Sequence, residues 1–134
     1  EREMRDFLAA HPTPGIWQGA FIERMDLAYA AADLVISRSG AGTVSELCLV
    51  AKPVLFVPSP NVAEDHQTMN ARALEQQGAA VLVPDAVCRT EAMPRALELL
   101  ADKEALRRMS ENLERLAKPR AAEDIVDEII ELLK

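Results

Sequence analysis

Along the chain, short apolar runs of four or five residues alternate with longer stretches in which apolar positions recur every three or four residues. The short runs predict buried strands and the longer periodic stretches predict helices. A helix is expected over residues 2–10, ended by Pro12-Thr13-Pro14-Gly15. Residues 16–22 are expected as a strand and 24–32 as a short Ala-rich helix. Leu34-Val35-Ile36-Ser37 reads as a buried strand, 43–51 as a helix ended by Lys52-Pro53, and Val54-Leu55-Phe56-Val57 as another buried strand stopped by Pro58-Ser59-Pro60. A helix over 64–77 is capped by Gly78, and a short strand over 79–83 precedes Pro84. Helices are expected over 90–101, 103–117 and 121–133.

Strand–helix–strand alternation with short connections predicts an α/β fold, a Rossmann-like parallel sheet flanked by helices. Ligands of such open sheets sit outside the C-terminal ends of the strands. The candidate site therefore lies on the loops after Ser37, Val57 and Ile22. No repeat or linker interrupts the pattern, so residues 1–134 are expected as one domain. Its C-terminal helices, 90–134, are expected to pack on the sheet or on a neighbouring domain.

Length and charge narrow the classes. The 134 residues are enough for a sizeable core without disulfide or metal staples. With 15 Lys+Arg against 22 Asp+Glu, the net charge of −7 argues against nucleic acid as a partner. Cys48 and Cys88 form no CxxC pair and read as reduced thiols. No apolar run approaches a membrane span, and no secretory signal opens the sequence. A charged, helix-like start at Glu1 in place of Met is expected of a cut end.

Two loops carry candidate chemistry. Ser37-Arg38-Ser39-Gly40-Ala41-Gly42-Thr43-Val44-Ser45-Glu46 joins a strand to a helix through two glycines, which allow close backbone approach, and a helix start offers free amides and a positive dipole end. Such a loop can hold a diphosphate without a basic cluster, and Arg38 is the only basic residue between Arg24 and Lys52. It is neither a dinucleotide fingerprint, whose third glycine would fall at Ser45, nor an ATPase loop, since no Gly-Lys-Ser/Thr follows. Thr43-Val44-Ser45-Glu46 is equally a capping box, so a purely structural reading of this loop stands beside ligand binding. The second segment, Pro58 to Asn70, also follows a strand and opens a helix. His66, Gln67 and Asn70 suit sugar hydroxyls or an amide, and Gln67 and Asn70 share one helix face. A lone histidine at a helix start, as His66 is, more often faces solvent than takes part in catalysis. His11 is remote in a Pro-rich turn, so no metal site is expected, and Ser59, Asp65 and His66 lack a nucleophile-elbow sequence.

Taken together, Asp33 to Glu46, Lys52-Pro53-Val54-Leu55-Phe56-Val57-Pro58 and Asp65-His66-Gln67-Thr68-Met69-Asn70-Ala71 resemble the family of bacterial N-acetylglucosaminyltransferases that convert lipid I to lipid II in peptidoglycan synthesis. The likeness runs from about Gly15 to the C-terminus. It implies a partial C-terminal half of a GT-B glycosyltransferase, binding UDP-N-acetylglucosamine without metal or cofactor. The resemblance matches Ile22 to a backbone that reads the uracil edge, Glu46 to the acceptor of both ribose hydroxyls, and Gly42 and Thr43 to the diphosphate-holding helix start. Ala41 matches an amide near the sugar 4-hydroxyl and Gln67 a contact to the sugar hydroxyls. Some relatives carry a second glutamine in place of His66. Arg38 and Asn70 fall on motif positions assigned to organisation of the loop and the sugar site, and Ser39 and Gly40 are expected among the donor-binding residues.

The family's N-terminal domain, with its acceptor site, membrane-facing patch and proposed base, has no counterpart here, so no catalytic residue is assigned. Lipid I and the inner-membrane surface would be reached through that domain, at the cytoplasmic face of the bacterial membrane as a peripheral protein. The fragment alone is expected to bind donor without turnover, and to self-associate through surfaces left bare. Rival readings are a UDP-sugar-binding subunit of another glycolipid glycosyltransferase and a UDP-N-acetylglucosamine 2-epimerase-like domain.

Overall fold

The computed structural model describes residues 2–12, 14–60, 66–117, 130, 132 and 133. The chain divides into two compact units, Glu1–Ala31 and Ala32–Lys134. In the first, α1 (Arg2–Ala10) and α2 (Met25–Ala31) are helical, as their periodicity predicts. The His11 ring stacks on Phe7 with centroids 4.4 Å apart. Arg24 donates to both carboxylate oxygens of Asp26 at 3.0 and 2.8 Å and holds that carboxyl below the usual range.

The strand expected over 16–22 is absent: these residues are irregular, and Phe21 is 86% exposed. An apolar run becomes a strand only where a neighbour completes its ladder, and the first unit has no strand among its described residues. The run instead folds locally. A Cβ on Gly19 would lie 2.6 Å from the Trp17 ring, so the indole closes over the glycine.

The second unit is a three-stranded parallel sheet in the order β1-β2-β3, with β1 spanning Val35–Ser37, β2 Val54–Phe56 and β3 Val81–Leu82. Ile36 pairs with Leu55, and Leu55 with Val81. Its helices are α3 (Ala41–Val50), α4 (His66–Gln76), α5 (Cys88–Ala101) and α6 (Lys103–Leu116), with a 3-10 turn at Asp85–Val87. The central strand is buried throughout. Leu55, Val57 and Val83 pack against Ala96 and Leu99 of α5 and Met109 of α6, while strand alternation turns Val54 and Phe56 to the opposite face. The helix expected over 121–133 lies outside the described residues, apart from 130, 132 and 133, as do residues 64 and 65 of the expected start of α4.

Helix ends follow local chemistry. Gly78 takes φ +67° after α4, the left-handed geometry that glycine tolerates. A Cβ there would meet Asn112 Nδ2 at 2.9 Å. Asp102 caps α6 by accepting from the Ala105 amide at 3.0 Å. The end of α3 is less well served, because Ala51 sits at φ 53°, where a Cβ crowds the backbone. Ala51→Gly is expected to stabilise the chain by about 1 kcal/mol, read as a higher midpoint of urea unfolding.

Candidate functional site

Parallel strands aim their C-terminal ends in one direction, so the loops after β1, β2 and β3 gather at one edge of the sheet. Ser39 is fully buried at the first of these turns. Its hydroxyl donates to the Gln67 carbonyl at 2.6 Å, and Asn70 Nδ2 donates to the Ser39 carbonyl at 3.1 Å. The Gln67 side chain ties two loops together: its Oε1 accepts from the Ser39 amide at 3.2 Å and from the Ser59 amide at 2.8 Å. Two backbone donors converge on that atom, so it must be the oxygen, and the orientation of the amide is fixed. Gln67 thus presents its NH₂ to the remaining space, 3.8 Å from the position a Cβ on Gly40 would take.

With Ser39 pinned, α3 starts at once. Gly40 is its N-cap and makes no side-chain cap bond, and the first intrahelical bond runs from the Val44 amide to the Gly40 carbonyl at 3.0 Å. The capping box read at Thr43-Val44-Ser45-Glu46 is therefore corrected. Thr43 is the third residue of the helix, where a side chain cannot act as N-cap. The amides of Ala41, Gly42 and Thr43 lie ahead of the first intrahelical bond and form the positive end of the helix.

Neither glycine of this loop is demanded by the fold. Both Gly40 and Gly42 lack a positive φ, and a Cβ on Gly42 would meet nothing within 4 Å. Glycine in a helix costs about 0.5–1 kcal/mol relative to alanine, so its presence at position 42 weakens α3 with no return in packing.

A cavity of about 350 Å³ opens beside this helix start, lined by Gly40, Ala41, His66, Gln67, Met69 and Asn70. Five of these six residues were expected from sequence, and Met69 was not. Glu46 stands exposed further along α3, outside the cavity lining. Arg38 turns to the loops: its Nη1 donates to the Val57 and Pro58 carbonyls at 3.1 and 3.3 Å and to Asp85 Oδ1 at 2.6 Å. Ile22, 41% exposed, belongs to the first unit, where it lines a separate hollow with Trp17 and Phe21. Among the described residues, no group of three or more His, Cys, Asp or Glu side chains could hold a metal ion. Nor is any described helix long and apolar enough to cross a membrane.

The second unit is an open parallel α/β domain with a cavity outside the carboxyl ends of its strands, the position that ligands take in this class. The chain belongs to the family described as the glycosyltransferase family 28 C-terminal domain, whose profile matches residues 5–126. A protein of Parabacteroides distasonis named UDP-N-acetylglucosamine–N-acetylmuramyl-(pentapeptide) pyrophosphoryl-undecaprenol N-acetylglucosamine transferase is 52% identical over 126 residues, covering 94% of this chain and 34% of the relative. The protein of that name from Bacteroides fragilis is 53% identical over 124 residues, covering 92% of this chain and 33% of the relative. A crystal structure of Acinetobacter baumannii MurG superposes with a TM-score of 0.79 at 33% identity, covering 96% of this chain and 38% of that one. The chain thus spans about a third of the length of the curated relatives. The expected fold class, a Rossmann-like sheet from the C-terminal half of a GT-B glycosyltransferase, is borne out by this match.

Proposed function

We propose that this chain is the donor-binding part of an inverting glycosyltransferase. The reaction moves N-acetylglucosamine from UDP-N-acetylglucosamine to undecaprenyl-pyrophosphoryl-N-acetylmuramyl-pentapeptide, lipid I to lipid II. The names of its relatives support the reaction. The observation that carries the site is the bare first turn of α3, where Gly42 has open space in place of a side chain.

In this reading the diphosphate lies against the amides of Ala41, Gly42 and Thr43. An acceptor hydroxyl, its proton passing to a base in the part of the relatives that this chain does not span, attacks the anomeric carbon from the opposite face. As the bond to the diphosphate oxygen breaks, its electron pair stays with UDP. Helix-start amides aimed at that oxygen stabilise the growing charge electrostatically. The Gln67 NH₂ donates to a sugar oxygen, with His66 and Asn70 beside it, and Ser39 holds the loop. Glu46 accepts from the ribose hydroxyls. The acceptor and the cytoplasmic face of the membrane are met through parts of the relatives that this chain does not span. The chain alone binds donor without turning it over.

Gly42→Ala separates this role from a structural one. The variant is expected to unfold at higher urea, gaining up to about 1 kcal/mol, while its calorimetric affinity for UDP-N-acetylglucosamine falls about tenfold or more, a loss of ~1.4 kcal/mol. Unchanged affinity in the stabilised variant would remove Gly42 from the site.

A further inference from the structure

We propose that Asp85, in the turn after β3, is a positioning residue for the donor loop, acting through Arg38. The proposal rests on the donor-site reading above and adds to it the third strand-end loop. Arg38 leads directly into Ser39 and Gly40, and its side chain runs away from the cavity across the ends of two strands. From β1 to the loop of β3 is two inter-strand spacings, roughly 10 Å, a gap that the long arginine side chain bridges. Along the way its Nη1 gathers the carbonyls of Val57 and Pro58, at the end of the sheet ladder, and it finishes on the Asp85 carboxylate at 2.6 Å.

The donor loop is therefore held by two fasteners of different chemistry. On one side, Gln67 and Asn70 of α4 bond to Ser39; on the other, Arg38 bonds to the β2 loop and to Asp85. Arg38 and Asp85 are 54% and 30% exposed, so their ion pair adds little to global stability. What it supplies is direction. Without the carboxylate, a half-exposed guanidinium is free to leave two neutral carbonyls for water. The turn at Ser39-Gly40 then keeps only its α4 side, and the amides that follow it lose their fixed aim.

Asp85→Asn, Asp85→Glu and Arg38→Gln in the 134-residue chain test this. In Asp85→Asn, hydrogen exchange of the Ser39 and Ser59 amides without ligand is expected to quicken by about threefold to fivefold. The urea midpoint and the protection of Leu55 and Phe56 should not change. Affinity for UDP-N-acetylglucosamine falls by a similar factor, Asp85→Glu stays within about twofold of the parent, and adding Asp85→Asn to Arg38→Gln costs no more than Arg38→Gln alone. Unchanged exchange at Ser39 and Ser59 overturns the proposal, whatever the donor does. So does a loss that appears only in step with a lower urea midpoint, which would mark a structural role. A parent chain that binds no donor counts against the donor-site reading, and the exchange experiment still decides on Asp85.

Discussion

Gln67→Glu is expected to leave the chain folded and to weaken UDP-N-acetylglucosamine binding by roughly thirtyfold to a hundredfold, about 2–3 kcal/mol. The substitution is nearly isosteric and keeps an oxygen where the Ser39 and Ser59 amides converge. A carboxylate accepts those two bonds at least as well as an amide does. The change falls entirely on the other atom. The NH₂ that faces the cavity becomes an oxygen, so a donor turns into a charged acceptor beside sugar hydroxyls and a diphosphate. Urea unfolding and calorimetry on the same samples measure the two halves of the prediction. Gln67→Ala should behave differently, because it strips the shared acceptor from both amides, and a cost of ~1–3 kcal/mol in stability is expected with the loss of binding.

Glu46→Ala is expected to lower donor affinity by about tenfold to a hundredfold, the ~1.5–3 kcal/mol of hydrogen bonds to a charged group. Had the capping box formed, the same change would have cost ~1 kcal/mol of stability. The structure removes that term, since α3 begins two residues before Thr43 and Glu46 lies exposed beyond its first turn. No capping contribution is therefore expected to be lost from the urea midpoint of this variant. Titration with a 2′-deoxyribose donor analogue isolates the contact. The parent chain should bind the analogue more weakly than the natural donor, and Glu46→Ala should distinguish the two poorly.

The parts of this fold that could be read from sequence are those that local chemistry determines. Val54-Leu55-Phe56 is apolar at every position because a central parallel strand is covered on both faces, and it is buried throughout. Gly78 announces a left-handed turn, and the chain takes φ +67° there. The failures have long-range causes. Residues 16–22 have strand-like composition but no ladder partner among the described residues of their own unit. The Thr43–Glu46 motif satisfies a local capping rule, yet the start of α3 is set by bonds from Ser39 to Gln67 and Asn70, 28 and 31 residues away. Asp85 gave no signal at all, being 47 residues from the arginine it meets. The Arg38 side chain bonds to backbone carbonyls that no motif displays. Gln67 was legible as a hydrogen-bonding residue, but its polarity was not. Only the two converging amides fix which of its atoms faces the cavity.

Amide-resolved NMR titration of the chain with UDP-N-acetylglucosamine decides whether the donor diphosphate rests on the first turn of α3. Saturable shifts are expected of the Ala41, Gly42 and Thr43 amides and of the Gln67 side-chain NH₂, with an adenine nucleotide sugar producing weaker changes at the same concentration. Saturable binding that leaves those three amides unmoved, with shifts elsewhere in the chain, would contradict that placement.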